Sequence, residues 1–95
     1  MLFRNPWLLD LWTNGFEVIV AFSKDDAIEI VAKEYGYDFP LKTEDVECIE
    51  FKGWNCCEQT SFVEVVINED TSDTLNQSVM NWVLQNGRGY VGNLP

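Results

Sequence analysis

A strand pattern that passes directly into a capped helix pattern constrains the fold of this chain most. Residues 15–22, GFEVIVAF, alternate along the chain and are rich in β-branched and aromatic types, which predicts a strand. The next segment, SKDDAIEIVAKEYG, places Ser23 at a helix N-cap, Asp26 at the capping-box spacing and Gly36 at the end of the helix. The apolar stripe that this helix should bury consists of Ala27, Ile30, Val31 and Tyr35.

The rest of the chain supplies two more strand patterns and a second helix pattern. Residues 46–51 (VECIEF) and 61–67 (SFVEVVI) are typical of strands, and the segment between them predicts a wide loop. NEDTSDTLNQSVMNWVLQNG follows as a turn and a helix, which Ser72 or Asp73 should cap and Gly87 should end. The inward side chains of this helix should be Leu75, Val79, Trp82 and Val83. The segment YVG near the C-terminus is a candidate for a short last strand.

These patterns predict an α+β fold. Their order is β-α-β-β-α, with a final strand as an option, and no linker or repeat divides the chain, so residues 1–95 should form a single domain. We expect an antiparallel sheet of three or four strands with two helices on one face. With the final strand, this order is the split βαβ arrangement of ferredoxin-like folds.

The two faces of the predicted sheet differ in how they are covered. The helices should cover the face that carries Phe16, Val18, Val20, Val63, Val65 and Ile67. The opposite face is half apolar and therefore needs a cover or a partner. A second copy of the protein is one candidate for this role. The cover that we favour is the N-terminal segment with Phe3, Trp7, Leu8, Leu9 and Trp12.

Negative charge is concentrated in the middle of the chain. The sixteen acidic and six basic residues give a formal net charge of −10, and no Asp or Glu follows Asp73. One interpretation is a solvated surface that keeps a small protein soluble. The other is a surface that occupies a basic groove built for nucleic acid, with carboxylates in place of phosphates. The candidate contacts are Asp25, Asp26, Glu29, Glu44, Asp45, Glu47, Glu50, Glu58, Glu69 and Asp70.

The residue types disfavour a metal site and an enzyme. The chain has no histidine, and its three cysteines are Cys48, Cys56 and Cys57, of which the adjacent pair has poor geometry for a disulfide. A structural zinc site needs four Cys or His ligands. A nucleophilic cysteine needs a low thiol pKa, whereas the acidic neighbours of these cysteines would raise it. No phosphate-binding loop, HExxH motif or nucleophile elbow occurs. We therefore expect no metal, no cofactor and no catalytic activity.

The chain should bind neither membranes nor nucleic acid directly. The apolar N-terminal segment is interrupted by Arg4, Asn5, Pro6 and Asp10, so it predicts neither a membrane span nor a signal peptide, and we expect a cytoplasmic protein. The signature of RNA-recognition domains is absent from the predicted third strand, and phosphate repulsion opposes direct binding of nucleic acid.

A short, acidic, histidine-free α+β chain resembles the small phage-encoded inhibitors of bacterial defence. In particular it resembles anti-CRISPR proteins that mimic nucleic acid or block a Cas surface. The resemblance covers size, charge and architecture and includes no shared motif, so it assigns no residue roles. It implies a basic nucleic-acid-binding partner such as a Cas effector subunit, met in the host cytoplasm. We expect a non-enzymatic inhibitor, monomeric or homodimeric; the alternative is a structural or assembly domain that self-associates through an apolar sheet face.

Overall fold

The computed structural model describes residues 9–38, 41–44 and 53–95, and these residues include six strands and two helices. The α+β class is confirmed, and so are the strands predicted at 15–22, at 61–67 and near the C-terminus. The predicted strand at 46–51 lies outside the described residues. The elements are β1 (Asp10–Thr13), β2 (Glu17–Ala21), α1 (Lys24–Glu34), β3 (Asn55–Cys56), β4 (Phe62–Asn68), β5 (Asp73–Ser78), α2 (Val79–Asn86) and β6 (Gly89–Asn93).

The described strands form one antiparallel sheet in the order β3-β1-β2-β6-β4-β5. The C-terminal strand β6 therefore lies between β2 and β4, with Asn93 opposite both Glu17 and Val66. The sequence predicted three or four strands and a marginal last strand. The sheet is larger because β1 and β3 extend it on one side and β5 on the other, and the last strand joins its two halves.

The two helices cover opposite faces of the sheet, so the predicted ferredoxin-like arrangement with both helices on one face is wrong. Val18 and Val20 on β2 belong to a core cluster with the α2 residues Val79, Trp82 and Val83. The alternate β2 residues Ile19 and Ala21 belong to a second cluster with Ala27, Ile30 and Val31 of α1. Because β2 is apolar on both of its faces, each face needs a cover, and one helix supplies each.

Helix α1 starts as the sequence predicted and ends with one difference. Ser23 is the N-cap, with its Oγ accepting a hydrogen bond from the Asp26 backbone N–H at 3.1 Å. Gly36 follows the helix with a φ of 80°, as expected of a glycine that ends it. Ala27, Ile30 and Val31 are buried as predicted. Tyr35 is 51% exposed instead, because it is the C-cap residue and its hydroxyl turns toward the start of β2.

Helix α2 starts later than predicted. Asp73–Ser78 form β5, which pairs with β4, and Ser78 rather than Ser72 or Asp73 caps the helix by accepting a hydrogen bond from Asn81 N–H at 3.2 Å. Leu75 was expected to face inward from the helix, but it lies on β5 opposite Val65 and is 38% exposed. Pairing with β4 decides between strand and helix for this segment, because the segment gains backbone hydrogen bonds to β4 when it is a strand. As predicted, the helix buries Val79, Trp82 and Val83 and is followed by Gly87.

The N-terminal residues that the structure describes are part of the sheet rather than a cover over it. Leu9 and Leu11 are buried in the core cluster on the α2 side, and Trp12 packs against the cluster on the α1 side. Phe3, Trp7 and Leu8 lie outside the described residues. Across the described ranges, neither helix has the length and apolarity that a membrane crossing requires.

Candidate protein interface

The structure describes seven of the ten acidic residues predicted to contact a partner. Asp45, Glu47 and Glu50 lie outside the described residues. Asp26 and Glu29 are partly buried on α1. The exposed members are Asp25, Glu44, Glu58, Glu69 and Asp70.

Two of the predicted contact residues are already paired within the chain. Asp26 and Arg88 form a bidentate ion pair, in which Arg88 Nε lies 2.9 Å from Oδ2 and 3.2 Å from Oδ1 of Asp26. Only 11% of the Asp26 side chain is exposed. Glu29 Oε1 lies 3.2 Å from Nζ of Lys33. These two carboxylates therefore have less charge to offer a partner than the exposed ones.

Several carboxylates meet around Tyr90 on β6. Glu17 starts β2 opposite Asn93 at the end of β6, and β4 runs antiparallel to β6 from Val66, also opposite Asn93, so the turn between β4 and β5 lies toward Tyr90. Helix α1 starts beyond the end of β2 and returns toward the start of β2, as the contact between Tyr35 and Glu17 shows. We call this region the acidic end and define it by Glu17, Glu34, Glu69, Asp70 and Asp73.

Positive charge in the described part of the chain is distributed differently. Lys24 lies at the first residue of α1 and Arg88 just before β6, both at the end of the β2–β6 pair opposite to Glu17. Lys33 is close to the acidic end, but it pairs with Glu29. Within the described part of the chain, none of the five acidic-end carboxylates is in an ion pair.

Two tyrosines show how closely the acidic-end carboxylates approach one another. Tyr35 Oη donates a hydrogen bond to Glu17 Oε1 at 2.7 Å, which raises the pKa of Tyr35 to about 12. Burial, together with the nearby charges of Glu17, Glu34 and Glu69, raises the pKa of Tyr90 to about 12. Three carboxylates that are distant in sequence thus act on one tyrosine, so the fold brings this negative charge together.

Two apolar residues are neighbours where β2 starts and β6 ends. The Leu94 backbone N–H donates to the Phe16 carbonyl oxygen at 2.7 Å, and Leu94 packs against the core cluster on the α2 side. The sequence predicted that helices would cover Phe16 and Ile67, but these side chains are 76% and 58% exposed. Helix α2 shares a core cluster with Val18 and Val20 of β2 and covers neither Phe16 nor Ile67.

An open depression of about 420 Å³ lies beside Leu94. Its wall includes the apolar residue Leu94 and the acidic residue Glu69, so apolar and charged surfaces meet in it. The complete lining is Val66, Glu69, Ser72, Asn93, Leu94 and Pro95. A shallow site of this kind suits one inserted side chain of a partner better than an enclosed small molecule.

The described cysteines have no feature of a reactive or metal-binding site. Cys56 is exposed on β3 and Cys57 packs against the core cluster on the α2 side; both thiols are free. Burial raises the pKa of both thiols, and the charge of Asp10 adds to this effect at Cys56. In the described ranges, no group of three or more His, Cys, Asp or Glu side chains could hold a metal ion. Cys48 lies outside the described residues.

Comparison with protein-family models found no match, and comparison with curated proteins and with solved structures found no significant similarity. Functional inference for this chain therefore rests on its charge and geometry.

Sequence reasoning missed part of this surface. It selected Glu69 and Asp70 but not Glu17, Glu34 or Asp73, which the fold brings to the same region. A usable signal was present, since all three lie at the first or last residue of an element. The order in which strands pair, which makes those ends adjacent, is not written in any local pattern.

Proposed function

We propose that this protein is a non-enzymatic inhibitor that binds a basic, nucleic-acid-binding protein through the acidic end. The observation that carries the proposal is the group of five carboxylates, drawn from β2, α1, β5 and the β4–β5 turn, with no ion pair among the described residues. In the complex these carboxylates take the positions of phosphates in a groove lined by Lys and Arg. A Cas effector subunit is a partner of this class, in keeping with the resemblance to anti-CRISPR proteins.

Charge has two effects in such a complex. The net charge of −10 steers the protein toward a positive groove and increases the association rate. The grouped carboxylates then bind at positions that nucleic acid would otherwise occupy, so inhibition is competitive with nucleic acid. Both effects weaken as salt is added, because exposed charges are screened beyond about 10 Å at 0.1 M ionic strength.

Affinity capture with two charge-matched variants tests the proposal. The acidic-end variant carries Glu69→Gln, Asp70→Asn and Asp73→Asn, and the control carries Asp25→Asn, Glu44→Gln and Glu58→Gln. Both remove three exposed carboxylates. From nuclease-treated bacterial lysate, we expect the wild-type protein and the control to capture a nucleic-acid-binding protein, which salt should elute. The acidic-end variant should not capture this protein.

The captured protein is then purified, and its binding to DNA is measured with increasing amounts of the wild-type chain. Competitive loss of DNA binding supports mimicry. The proposal is contradicted if both variants retain the same partner as wild type, or if that partner binds DNA equally well with and without this chain. Equal loss from both variants would assign the contact to the whole acidic surface.

A second candidate function, an assembly domain that self-associates, is supported by the exposed Phe16 and Ile67. Burial of such side chains between two copies would give a dimer that tolerates salt. Light scattering during gel filtration at low and high salt tests it, since a salt-independent dimer that Phe16→Ser dissociates is the expected result for this candidate only.

A further inference from the structure

We propose that the open depression beside Leu94 binds one arginine side chain, which the basic partner inserts into the acidic end. This inference rests on the proposed function and adds the chemistry of the contact. Charge alone would attract many basic surfaces, whereas a shaped site for one guanidinium group selects among them.

The residues that line the depression come from three places in the chain. Val66 on β4 is directly opposite Asn93 on β6, so the two side chains project from the same face of the sheet. The β4–β5 turn contributes Glu69 and Ser72, and the segment after β6 contributes Leu94. The depression therefore depends on the pairing of β4 with β6 and does not belong to one loop.

The polar side chains of the lining favour a cation. Glu69, Ser72 and Asn93 each carry an oxygen that can accept a hydrogen bond, and the described residues of the lining include no Lys or Arg. The Tyr90 hydroxyl donates to Asn93 Oδ1 at 2.6 Å, which orients this amide. Within the described ranges Glu69 forms no ion pair. A positively charged group in the depression would therefore gain a counter-ion.

The apolar part of the lining and the number of acceptors favour arginine among the cations. Val66 and Leu94 offer apolar surface to the aliphatic stem of a long basic side chain. A guanidinium group has five N–H donors in one plane and is more weakly hydrated than the ammonium group of lysine. It can bind the Glu69 carboxylate through two donors and still donate to Ser72 or Asn93.

A second copy of the chain is a poor source of this arginine. Arg88 is the one arginine among the described residues, and its guanidinium already binds both carboxylate oxygens of Asp26. The net charge of −10 on each copy also opposes the approach of a second acidic surface. A basic partner meets neither obstacle.

Three short peptides test the inference by NMR titration of the isotope-labelled wild-type protein. They are acetyl-Gly-Arg-Gly-amide and the same peptide with citrulline or lysine in place of arginine. Citrulline has nearly the shape of arginine but no charge. We expect the arginine peptide to bind about tenfold more tightly than the citrulline peptide, in line with the loss of one hydrogen bond to a charged group. It should also bind more tightly than the lysine peptide, and the shifted backbone amides should be those of Val66, Glu69, Ser72, Asn93 and Leu94.

The substitutions Glu69→Gln and Asp70→Asn form a matched pair. Both residues are exposed neighbours in the β4–β5 turn, but Glu69 lines the depression and Asp70 is not among its lining residues. We expect Glu69→Gln to abolish the preference for arginine over citrulline and Asp70→Asn to retain it. An equal loss in both variants would overturn the inference, and so would equal binding of the arginine peptide and either other peptide to wild type.

Affinity capture with the same two variants separates the inference from the proposed function. The inference predicts that Glu69→Gln weakens capture of the basic partner more than Asp70→Asn does. Equal capture by these two variants, with loss in the acidic-end variant, would overturn the arginine site and leave the charge proposal intact. If nothing is captured but the arginine peptide still binds at the depression, the proposed function fails and the specificity of the site stands. A wild-type dimer that the arginine peptide dissociates would overturn the inference in favour of a second copy.

Discussion

Asp26 links two parts of the chain that are 62 residues apart. Its Oδ2 accepts a hydrogen bond from Phe22 N–H at 3.0 Å, just before α1, and both carboxylate oxygens bind the Arg88 guanidinium ahead of β6. The capping role agrees with the sequence pattern, although the backbone donor is one residue earlier than in a standard capping box. The ion pair with Arg88 needs the folded structure.

We expect Asp26→Ala to lower the free energy of unfolding by about 1–2 kcal/mol, because the helix loses a cap and the tie to Arg88. Asp25→Ala is the control: Asp25 is exposed in the same helical turn, and its loss should cost only the helix-dipole term, about 0.5 kcal/mol. Urea denaturation measures both. Equal effects of the two substitutions would show that the contacts of Asp26 add nothing to the helix dipole.

Tyr35 and Tyr90 should make the protein sensitive to alkali. Both hold their protons to a pKa of about 12 in the folded state, against a usual value of 10.0, so the unfolded chain loses these protons first. Their stabilising effect is therefore complete below about pH 10 and declines as the pH rises toward 12.

Glu17→Gln should lower the pKa of Tyr35 toward its usual value, because the hydrogen bond to Glu17 is the largest cause of the shift. An ultraviolet titration of tyrosinate, with Tyr35→Phe variants in both backgrounds as the subtraction, measures the pKa of this one residue. An unchanged Tyr35 pKa in Glu17→Gln would contradict the arrangement at the acidic end.

Strand β6 is the element that joins the two halves of the sheet, and Gly92 is the residue that lets it fit. A Cβ at position 92 would lie 2.8 Å from Val65 Cγ1 and 3.3 Å from the Val66 carbonyl oxygen. The sequence marked this segment as a short, marginal strand, and glycine normally weakens a strand. Here the absence of a side chain allows β6 to approach β4 across a buried valine.

Gly92→Ala should lower the free energy of unfolding by about 1–3 kcal/mol, the usual cost of overpacking a core. Val65→Ala removes the methyl group that the new Cβ would meet, so the double variant should cost less than the sum of the two single variants. Denaturation of the wild type, the two single variants and the double variant measures the coupling between the two positions. Additive effects would mean that Gly92 is required for a reason other than the approach to Val65.

The molecule as a whole carries a large excess of negative charge, and this charge is unevenly distributed. The described part of the chain carries thirteen Asp and Glu residues, but only Asp26 and Glu29 form ion pairs there. Mutual repulsion of such charges disfavours the compact state and is relieved by salt. The acidic end should contribute most to this repulsion, since Glu17, Glu34 and Glu69 all act on Tyr90.

We therefore expect the unfolding temperature to rise as salt is added from about 0.01 M to 0.15 M ionic strength, over which the Debye length falls from about 30 to 8 Å. Neutralising Glu34 and Glu69 together should raise the unfolding temperature at low salt and reduce the response to salt. Neutralising Glu44 and Glu58, which are also exposed, should have a smaller effect. Calorimetry of the wild type and the two double variants measures the unfolding temperature at each salt concentration. Equal dependence on salt in both double variants would argue against clustering of charge at the acidic end.

The sequence by itself determined the elements whose signals are local. The alternation of residues 15–22, the Ser23 cap, three of the four residues in the buried stripe of α1 and the terminal Gly87 were predictable, because periods of two and 3.6 residues and cap preferences act over a few residues. The concentration of acids in the middle of the chain was likewise visible, and it indicated Glu69 and Asp70 as candidate contacts.

Only the tertiary structure decided which segments pair and which faces are covered. Residues 73–78 became a strand because β4 lies beside them, and the helices took opposite faces because β2 is apolar on both. The acidic end exists because β6, the last strand, enters between β2 and β4. Strand order depends on contacts between distant residues, whose free energy is set by burial in the assembled sheet and leaves no local pattern.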